Sequence, residues 1–309
     1  MPLVTSREIL REALEQRFAV GAFNANNMEQ VQAIVEAAQE ERAPVIVQVS
    51  QGAIRYAGLE FAAGMVKIAA ELVDVPVVLH LDHGSSFEQN IRCLRAGFTS
   101  LMFDGSGLSF EENVAITKRI CEIAHAVGIP VEAELGRVLQ SATGVTAEEV
   151  REAMTDPDQA EEFIARTGAD SLAVAVGSVH AMRERKATLD IERIAAISRR
   201  VNVPLVLHGS SGVREEDLKE AIQNGICKIN VATYLNQAFT RGLKEGLAKH
   251  ADEVDPRKFL AISREHVKEA VREKIRLFGS AGRSGEGRGS ASRARQRLSS
   301  ELELEGGQE

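Results

Sequence analysis

The sequence predicts an α/β protein, a (β/α)8 TIM barrel, on three observations. Short β-branched runs alternate with helical patterns, eight such runs recur, and together they fill a length close to the roughly 250 residues such barrels need. A doubly wound open sheet would need a topological switch and usually carries fewer strands.

The elements follow in order. Thr5 with Glu8 fits a capping box at the start of the first helix. The predicted strands are Ala19–Phe23, Pro44–Ser50, Pro76–Asp82, Ser100–Asp104, Pro130–Leu135, Ser171–Gly177, Pro204–His208 and Lys228–Ala232. A near-continuous apolar run is how a parallel strand buried on both faces reads, and each gap is long enough for a crossover helix. Helical spacing marks the gaps: Met28, Val31, Val35 and Ala38 form one stripe, Phe87, Ile91 and Leu94 a second, Ile191, Ile194 and Ile197 a third. Ser86 with Gln89 fits another capping box, and Gly97, Gly128, Gly168 and Gly225 stand where a helix turns left-handed before the next strand. Thr143–Asp158 breaks the rhythm after the fifth strand and is a candidate lid. A single barrel domain with C-terminal helices is expected over 1–279. The tail 280–309, rich in Gly, Ser, Arg and Glu, is expected to be disordered because it has too little apolar surface to offset ordering entropy.

Composition narrows the function. In 309 residues, 44% hydrophobic and 27% charged residues fit a globular chain able to bury a large core. No apolar window is long enough to span a bilayer and the first twenty residues lack a secretory pattern, so a cytoplasmic location is expected, with no membrane partner. A net charge of −8 with no basic block in the body argues against nucleic acid. Cys93, Cys121 and Cys227 are odd in number and widely spaced, which fits buried apolar residues better than disulfides or a thiolate metal cluster.

In such a barrel chemistry belongs at the carboxyl ends of the strands, and reactive side chains gather there. The third run ends His80-Leu81-Asp82-His83-Gly84, the fourth in Asp104, the fifth carries Glu132 and Glu134, the sixth leads to His180 and the seventh ends in His208. A lone strand-end histidine is more often a hydrogen-bonded core residue than a ligand. Three of them, His83, His180 and His208, beside Asp82, Asp104 and Glu134, point instead to a divalent cation with one open position, as in a catalytic zinc site. His125, His250 and His266 lie in helical patterns and read as ordinary surface or packing residues. Asp82 could accept a proton from a substrate hydroxyl, or it could orient His83; the sequence leaves both roles open. Gly209-Ser210-Ser211-Gly212 and Asn230-Val231-Ala232-Thr233 close the last two strands, where barrels favour phosphate.

Taken together, His80-Leu81-Asp82-His83-Gly84-Ser85-Ser86, Gly21-Ala22-Phe23-Asn24-Ala25-Asn26-Asn27, Glu132-Ala133-Glu134-Leu135-Gly136, His208 to Gly212 and Lys228 to Thr233 strongly resemble class II, metal-dependent ketose-bisphosphate aldolases. The resemblance runs through Gly282 and includes Asp255 to Phe259 and Lys274 to Arg283. It implies that His83, His180 and His208 hold a catalytic zinc, that Asp82 is the proton acceptor, and that Asp104 with Glu134 serves a second or alternative cation position. It implies that Asn24, Ser50 and Asn230 contact the dihydroxyacetone phosphate part of the substrate. Gly209, Ser211 and Thr233 would cradle its phosphate, beside which members often hold a monovalent cation. The implied reaction is reversible cleavage of fructose 1,6-bisphosphate to dihydroxyacetone phosphate and glyceraldehyde 3-phosphate. Tagatose 1,6-bisphosphate is the alternative, because Ala232 stands where many fructose enzymes have aspartate.

The chain departs from the pattern in four places. Ala142 stands where a lid acid is expected, which leaves a non-catalytic barrel subunit as a rival reading and Glu148 or Glu149 as substitutes. Ala181 replaces the usual glycine after the zinc histidine, Arg183 and Lys186 alter the following loop, and Gly107 replaces a frequent histidine. The resemblance also implies a homo-oligomer, dimer or tetramer, with the helix Ser263–Leu277 serving either an interface or the closure of the barrel.

Overall fold

A computed structural model of the chain describes residues 3–140, 144–182 and 187–284. Eight parallel strands form the barrel: β1 (Val20–Asn24), β2 (Val45–Ser50), β3 (Val77–Asp82), β4 (Leu101–Phe103), β5 (Val131–Leu135), β6 (Ser171–Val174), β7 (Leu205–Leu207) and β8 (Ile226–Val231). Their hydrogen-bonded order is β3-β2-β1-β8-β7-β6-β5-β4. The remaining seam, between β3 and β4, is joined by the parallel bridges His80–Ser100 and Gly84–Phe103. All eight expected runs are strands. The flanking Pro44, Pro76, Pro130 and Pro204 fall just outside them, as residues without an amide hydrogen should. The sixth run stops at Val174, short of Gly177, and the eighth begins two residues earlier than expected, at Ile226.

The helices α1 (Ser6–Gln16), α2 (Met28–Glu40), α3 (Gln51–Ala57), α4 (Leu59–Glu71), α5 (Phe87–Arg95), α6 (Phe110–His125), α7 (Ala147–Glu152), α8 (Pro157–Thr167), α9 (Ile191–Arg200), α10 (Glu215–Gln223), α11 (Thr233–Lys249) and α12 (Pro256–Leu277) complete the chain. Ile9, Leu10 and Ala13 of α1 pack with Val20, Ala22, Ile46, Val78 and Cys227, so this helix plugs the amino-terminal floor of the barrel and leaves the opposite end as the open mouth. Gly97, Gly128, Gly168 and Gly225 all have positive φ, as expected.

Neither predicted capping box is complete. Thr5 occupies the N-cap of α1, but its side chain accepts no capping bond. Ser86 accepts from the Gln89 amide, while the Gln89 side chain turns instead to Cys93. Reciprocal boxes form at Ser109–Glu112 and Thr146–Glu149, where an acid stands at the third helical position.

The α12 helix starts at Pro256, earlier than the expected Ser263, and lies on α2 through the pairs Arg264–Glu36, Lys268–Glu40 and Arg272–Glu41, with Val267, Val271 and Ile275 buried. Residues 280–284 continue the packed body: Ser280 is buried, and the amides of Gly282 and Ser284 donate to the Glu41 and Arg42 carbonyls. The ordered body therefore runs past the expected boundary at 279, and the tail from 285 lies outside the described residues. Among the described residues no helix is long and apolar enough to cross a membrane. Cys93, Cys121 and Cys227 are free and buried.

Candidate active site

The barrel mouth holds a cavity of about 850 Å³. Asn24, Ser50, Asp82, His83, Asp104 and Glu134 form one wall, and His180, Gly209, Ser211, Asn230 and Thr233 close the other. Every site residue expected from the sequence and its family resemblance, from Asn24 to Thr233, is in this lining except His208, which sits wholly buried beneath it against His83.

Strand geometry explains how adjacent residues share the mouth. Successive strand residues point to opposite faces, so Asp82 and His83 could not both face inward on an unbroken strand. β3 ends at Asp82, and His83 adopts φ 50, a left-handed conformation rare outside glycine, which swings its ring to the same side. Ala181, next to His180, has φ 59. Gly209 has φ 66, and a Cβ there would come within 2.9 Å of the Val179 carbonyl. Only glycine lets the chain after β7 pass so close to the His180 segment.

The three imidazoles converge. One ring nitrogen from each of His83, His180 and His208 lies within 4.8 Å of the others, and His83, Asp104 and Glu134 form a second group by the same measure. Nε2 of His83 is 3.1 Å from Nδ1 of His208. The far sides of two rings are engaged: Nδ1 of His83 donates to Asp104 Oδ2 at 2.7 Å, and Nε2 of His208 donates to Glu132 Oε1 at 3.0 Å. Asp104 is fixed in turn by the Ser106 amide and hydroxyl. A carboxylate only accepts, so each bond places a hydrogen on the outer nitrogen and turns the inner nitrogen toward the shared centre.

The electrostatics match a cation centre. Burial opposes a charge on His83, but Asp82, Asp104 and Glu134 outweigh it and push its imidazole up to about 10. Burial, aided by His83, pushes His180 down to about 4 and holds His208 well below the usual imidazole range. Burial next to Asp104 pushes Glu134 up to about 8. Its Oε2 is buried without a hydrogen-bond partner and lies 3.7 Å from His208 Nδ1. A proton on His83 Nε2, facing His208 Nδ1 at 3.1 Å, and an orphaned carboxylate oxygen mark a place where a divalent ion would displace that proton and satisfy the donor set.

Asp82 is positioned differently. Its Oδ2 accepts from Asn24 Nδ2 at 2.7 Å and its Oδ1 from Asn230 Nδ2 at 3.3 Å, while His83 Nε2 is 3.9 Å away. Burial would raise its pKa, but His83, His208 and Lys228 overcome that and keep it below the ordinary carboxylate value. The orienting of His83 falls to Asp104, which leaves Asp82 free to act on a ligand.

Thr233 opens the 17-residue helix α11, so the positive end of that helix meets the cavity. Gly209-Ser210-Ser211-Gly212 forms a short 3₁₀ turn whose Ser210 hydroxyl donates to the Asn230 carbonyl, tying the two loops together. The candidate lid contains α7. Glu149 lines the cavity, Glu148 does not, and Ala142 lies outside the described residues, as do Arg183 and Lys186. The Thr146 amide and hydroxyl hold the Glu149 carboxylate below its usual range. At Gly107 a Cβ would meet open space, so the absent histidine leaves room at the rim.

The sequence reading did not single out Gln48, Lys228 or Arg137. Gln48 donates to Asn24 Oδ1, Lys228 sits 2.8 Å from Glu132 inside the barrel, and Arg137 is the one Lys or Arg among the described lining residues. Polar residues at alternate positions inside otherwise apolar strands were the available signal. His125 and His266 pair with Asp170 and Glu245, away from the site.

The family model described as fructose-bisphosphate aldolase class-II matches residues 4–283. A fructose-bisphosphate aldolase of Thermus caldophilus is 47% identical, with 91% of this chain and 100% of that protein covered. A fructose-bisphosphate aldolase of Geobacillus stearothermophilus is 46% identical over 92% of this chain and 99% of its own. Among solved structures, the YdjI aldolase of Escherichia coli K12 superposes with a TM-score of 0.81 at 38% identity, covering 92% of this chain and all of that one.

Proposed function

The chain belongs to the class-II fructose-bisphosphate aldolases, and from that premise we propose that it cleaves fructose 1,6-bisphosphate reversibly to dihydroxyacetone phosphate and glyceraldehyde 3-phosphate. The observation that carries the proposal is the convergence of three imidazoles on one point, with Asp82 beside them and unspent on orienting any of them. Tagatose bisphosphate, suggested by Ala232, draws no support from the names of the relatives. The non-catalytic reading is disfavoured by the full set of histidines and carboxylates at the mouth.

We assign His83 Nε2, His208 Nδ1 and His180 as the nitrogens that would hold the divalent ion, with Glu134 and Asp104 within reach. Three imidazoles with an open position favour Zn²⁺. Bound there, the ion supplies Lewis-acid polarisation of the ketose carbonyl and offsets the negative charge that develops as the carbon–carbon bond breaks.

The chain's own groups do the rest. The Asp82 carboxylate takes the proton of the C4 hydroxyl, and the electrons of that O–H bond form the aldehyde carbonyl while those of the C3–C4 bond pass toward C2. Asn24 and Asn230 aim both Asp82 oxygens into the cavity and are within reach of the dihydroxyacetone portion. Ser50, whose hydroxyl accepts the Ala53 amide, offers its proton to the same portion. Gly209, Ser211 and Thr233, at the end of β7 and the start of α11, form the phosphate cradle. C3 must then gain one proton. Glu149 is engaged as a helix cap and held ionised, so it is a poor donor for that step.

The test is release of triose phosphates from fructose and tagatose bisphosphates by zinc-loaded and chelator-treated protein. Chelator-sensitive cleavage favouring fructose is expected, and no cleavage of either sugar by the zinc-loaded protein refutes the proposal. A cytoplasmic setting fits three unpaired thiols. Homo-oligomerisation fits the exposed strip Phe61, Ile68 and Leu72 on one face of α4 and its continuation, more than half exposed at each residue. A sedimentation profile of a lone monomer at micromolar concentration refutes that assembly.

A further inference from the structure

We infer that Lys228 and Glu132, buried inside the barrel below the mouth, are positioning residues that hold His208 in the one tautomer able to bind the metal. The inference rests on the metal-site reading above and concerns how this chain builds that site.

Lys228 is 1% exposed and Glu132 2%. Apolar side chains of similar volume would fill the barrel as stably as a buried ion pair or more so, and filling the barrel is therefore a poor reason for their presence. Their geometry supplies a better one. Glu132 divides its two oxygens: Oε2 lies 2.8 Å from Lys228 Nζ, and Oε1 accepts from His208 Nε2 at 3.0 Å. The ammonium therefore balances a carboxylate whose other oxygen fixes the hydrogen of His208 on Nε2 and leaves Nδ1 bare toward His83 Nε2, 3.1 Å away.

The pair is itself tethered from below. Lys228 Nζ is 3.4 Å from His80 Nε2, and the opposite nitrogen of that ring is 2.8 Å from the Ser100 hydroxyl. Ser100 meets Ser6 at 2.9 Å, and Ser6 is the first residue of α1, the helix that plugs the barrel floor. A continuous polar column thus runs from the floor to His208 through an otherwise apolar core. Lys228 only donates, so His80 Nε2 accepts and its Nδ1 carries the hydrogen toward Ser100.

Without the ammonium, the Glu132 carboxylate is left between His208 and His80, whose Nε2 is 3.7 Å from its Oε2, and nothing keeps Oε1 on His208 Nε2. With Lys228→Met and Glu132→Gln combined, no charge needs balancing, and the amide oxygen can still accept from His208 Nε2. The full-length variants, alone and combined, are tested by zinc affinity in competition with a chromophoric chelator and by the visible spectrum of the cobalt(II)-substituted protein. Lys228→Met is expected to weaken zinc on the order of 10–100-fold and to alter the cobalt spectrum. The double variant is expected to recover most of the affinity and the parental spectrum. Folded Lys228→Met with unchanged affinity and spectrum overturns the inference. If Lys228→Met does not fold, the double variant decides: zinc binding near the parental level supports the tautomer role, and failure to fold or to bind zinc overturns it. Neither readout uses turnover, so aldolase activity in the parent protein is judged separately.

Discussion

Ala181→Gly tests whether the backbone beside His180 is strained. Ala181 sits at φ 59, where its methyl meets its own carbonyl oxygen, at a cost of about 1–2 kcal/mol for an L-residue. Glycine removes that cost but loosens the unfolded chain by about 0.4–1 kcal/mol, which leaves a net stabilisation of about 0.5–1 kcal/mol. With an unfolding entropy of about 2.1 cal/mol/K per residue over about 280 folded residues, near 0.6 kcal/mol/K in all, Tm should rise by about 1–2 °C. Arg17 provides the control: its φ is 55 at the C-cap of α1, on the floor of the barrel, so Arg17→Gly should raise Tm similarly without touching kinetics. Ala181 lines the cavity, so its glycine variant should also lower KM as the methyl leaves the substrate's path. Scanning calorimetry and steady-state kinetics on the three proteins decide it. An unchanged or lower Tm for Ala181→Gly, with Arg17→Gly raised, would show that the contacts around Ala181 compensate the strain and refute the argument.

Asp82→Ala should retain its zinc and lose about 10²–10⁴ in kcat, because a base is removed and no ligand is; metal loss measured by elemental analysis would instead assign Asp82 to holding the site. Arg137→Gln should raise KM for fructose 1,6-bisphosphate on the order of tenfold while sparing fructose 1-phosphate, since Arg137 is the lining cation across the mouth from the phosphate cradle; equal effects on both sugars would refute a distal-phosphate role. Burial pushes Cys93 up to about 11 and Cys121 and Cys227 up to about 12, so the native protein should resist thiol reagents at pH 8 and expose all three thiols in denaturant. The sign for stability follows from the same shift. The unfolded thiols ionise first, near their ordinary value of 9, so the contribution of these cysteines is intact below pH 9 and declines as pH rises toward 11–12, which urea titrations against pH would register.

The strands were legible because a parallel strand covered on both faces opens as a continuous apolar run, as Val45 to Val47 and Val77 to Leu79 do before the polar residues nearer the mouth. The mouth was legible because reactive residues stood at run ends. The column beneath it was not: Glu132 and Lys228 lie on different strands, and their pairing across the barrel depends on how the cylinder closes, which no local pattern encodes. The division of labour between Asp82 and Asp104 was hidden for a related reason. Asp82 precedes His83 in sequence, yet the left-handed turn at His83 carries its Nδ1 to Asp104, a residue 21 positions on. Thr5 failed as a reciprocal cap although the sequence pattern was present, since Ser6 is engaged with Ser100 and the chain enters α1 from a bond between Val4 and Val77.

The charges at the mouth also bear on how the sugar binds. Asp82, Asp104 and Glu149 line the cavity as carboxylates, against Arg137 and an imidazole at His83 that, despite its burial, Asp82 and Asp104 push up to about 10. At an effective dielectric near 20, two unit charges about 4 Å apart interact by about 4 kcal/mol, so each carboxylate left without a cation beside an entering bisphosphate opposes it. A divalent ion held as proposed by His83, His180 and His208 would add positive charge next to Asp104 and Glu134. The metal is therefore expected to strengthen binding of the sugar, which substrate affinity measured with and without chelator would register. If the buried column fixes His208 as inferred, with its Nε2 hydrogen on Glu132, then variants that disturb the column should weaken substrate binding along with the metal.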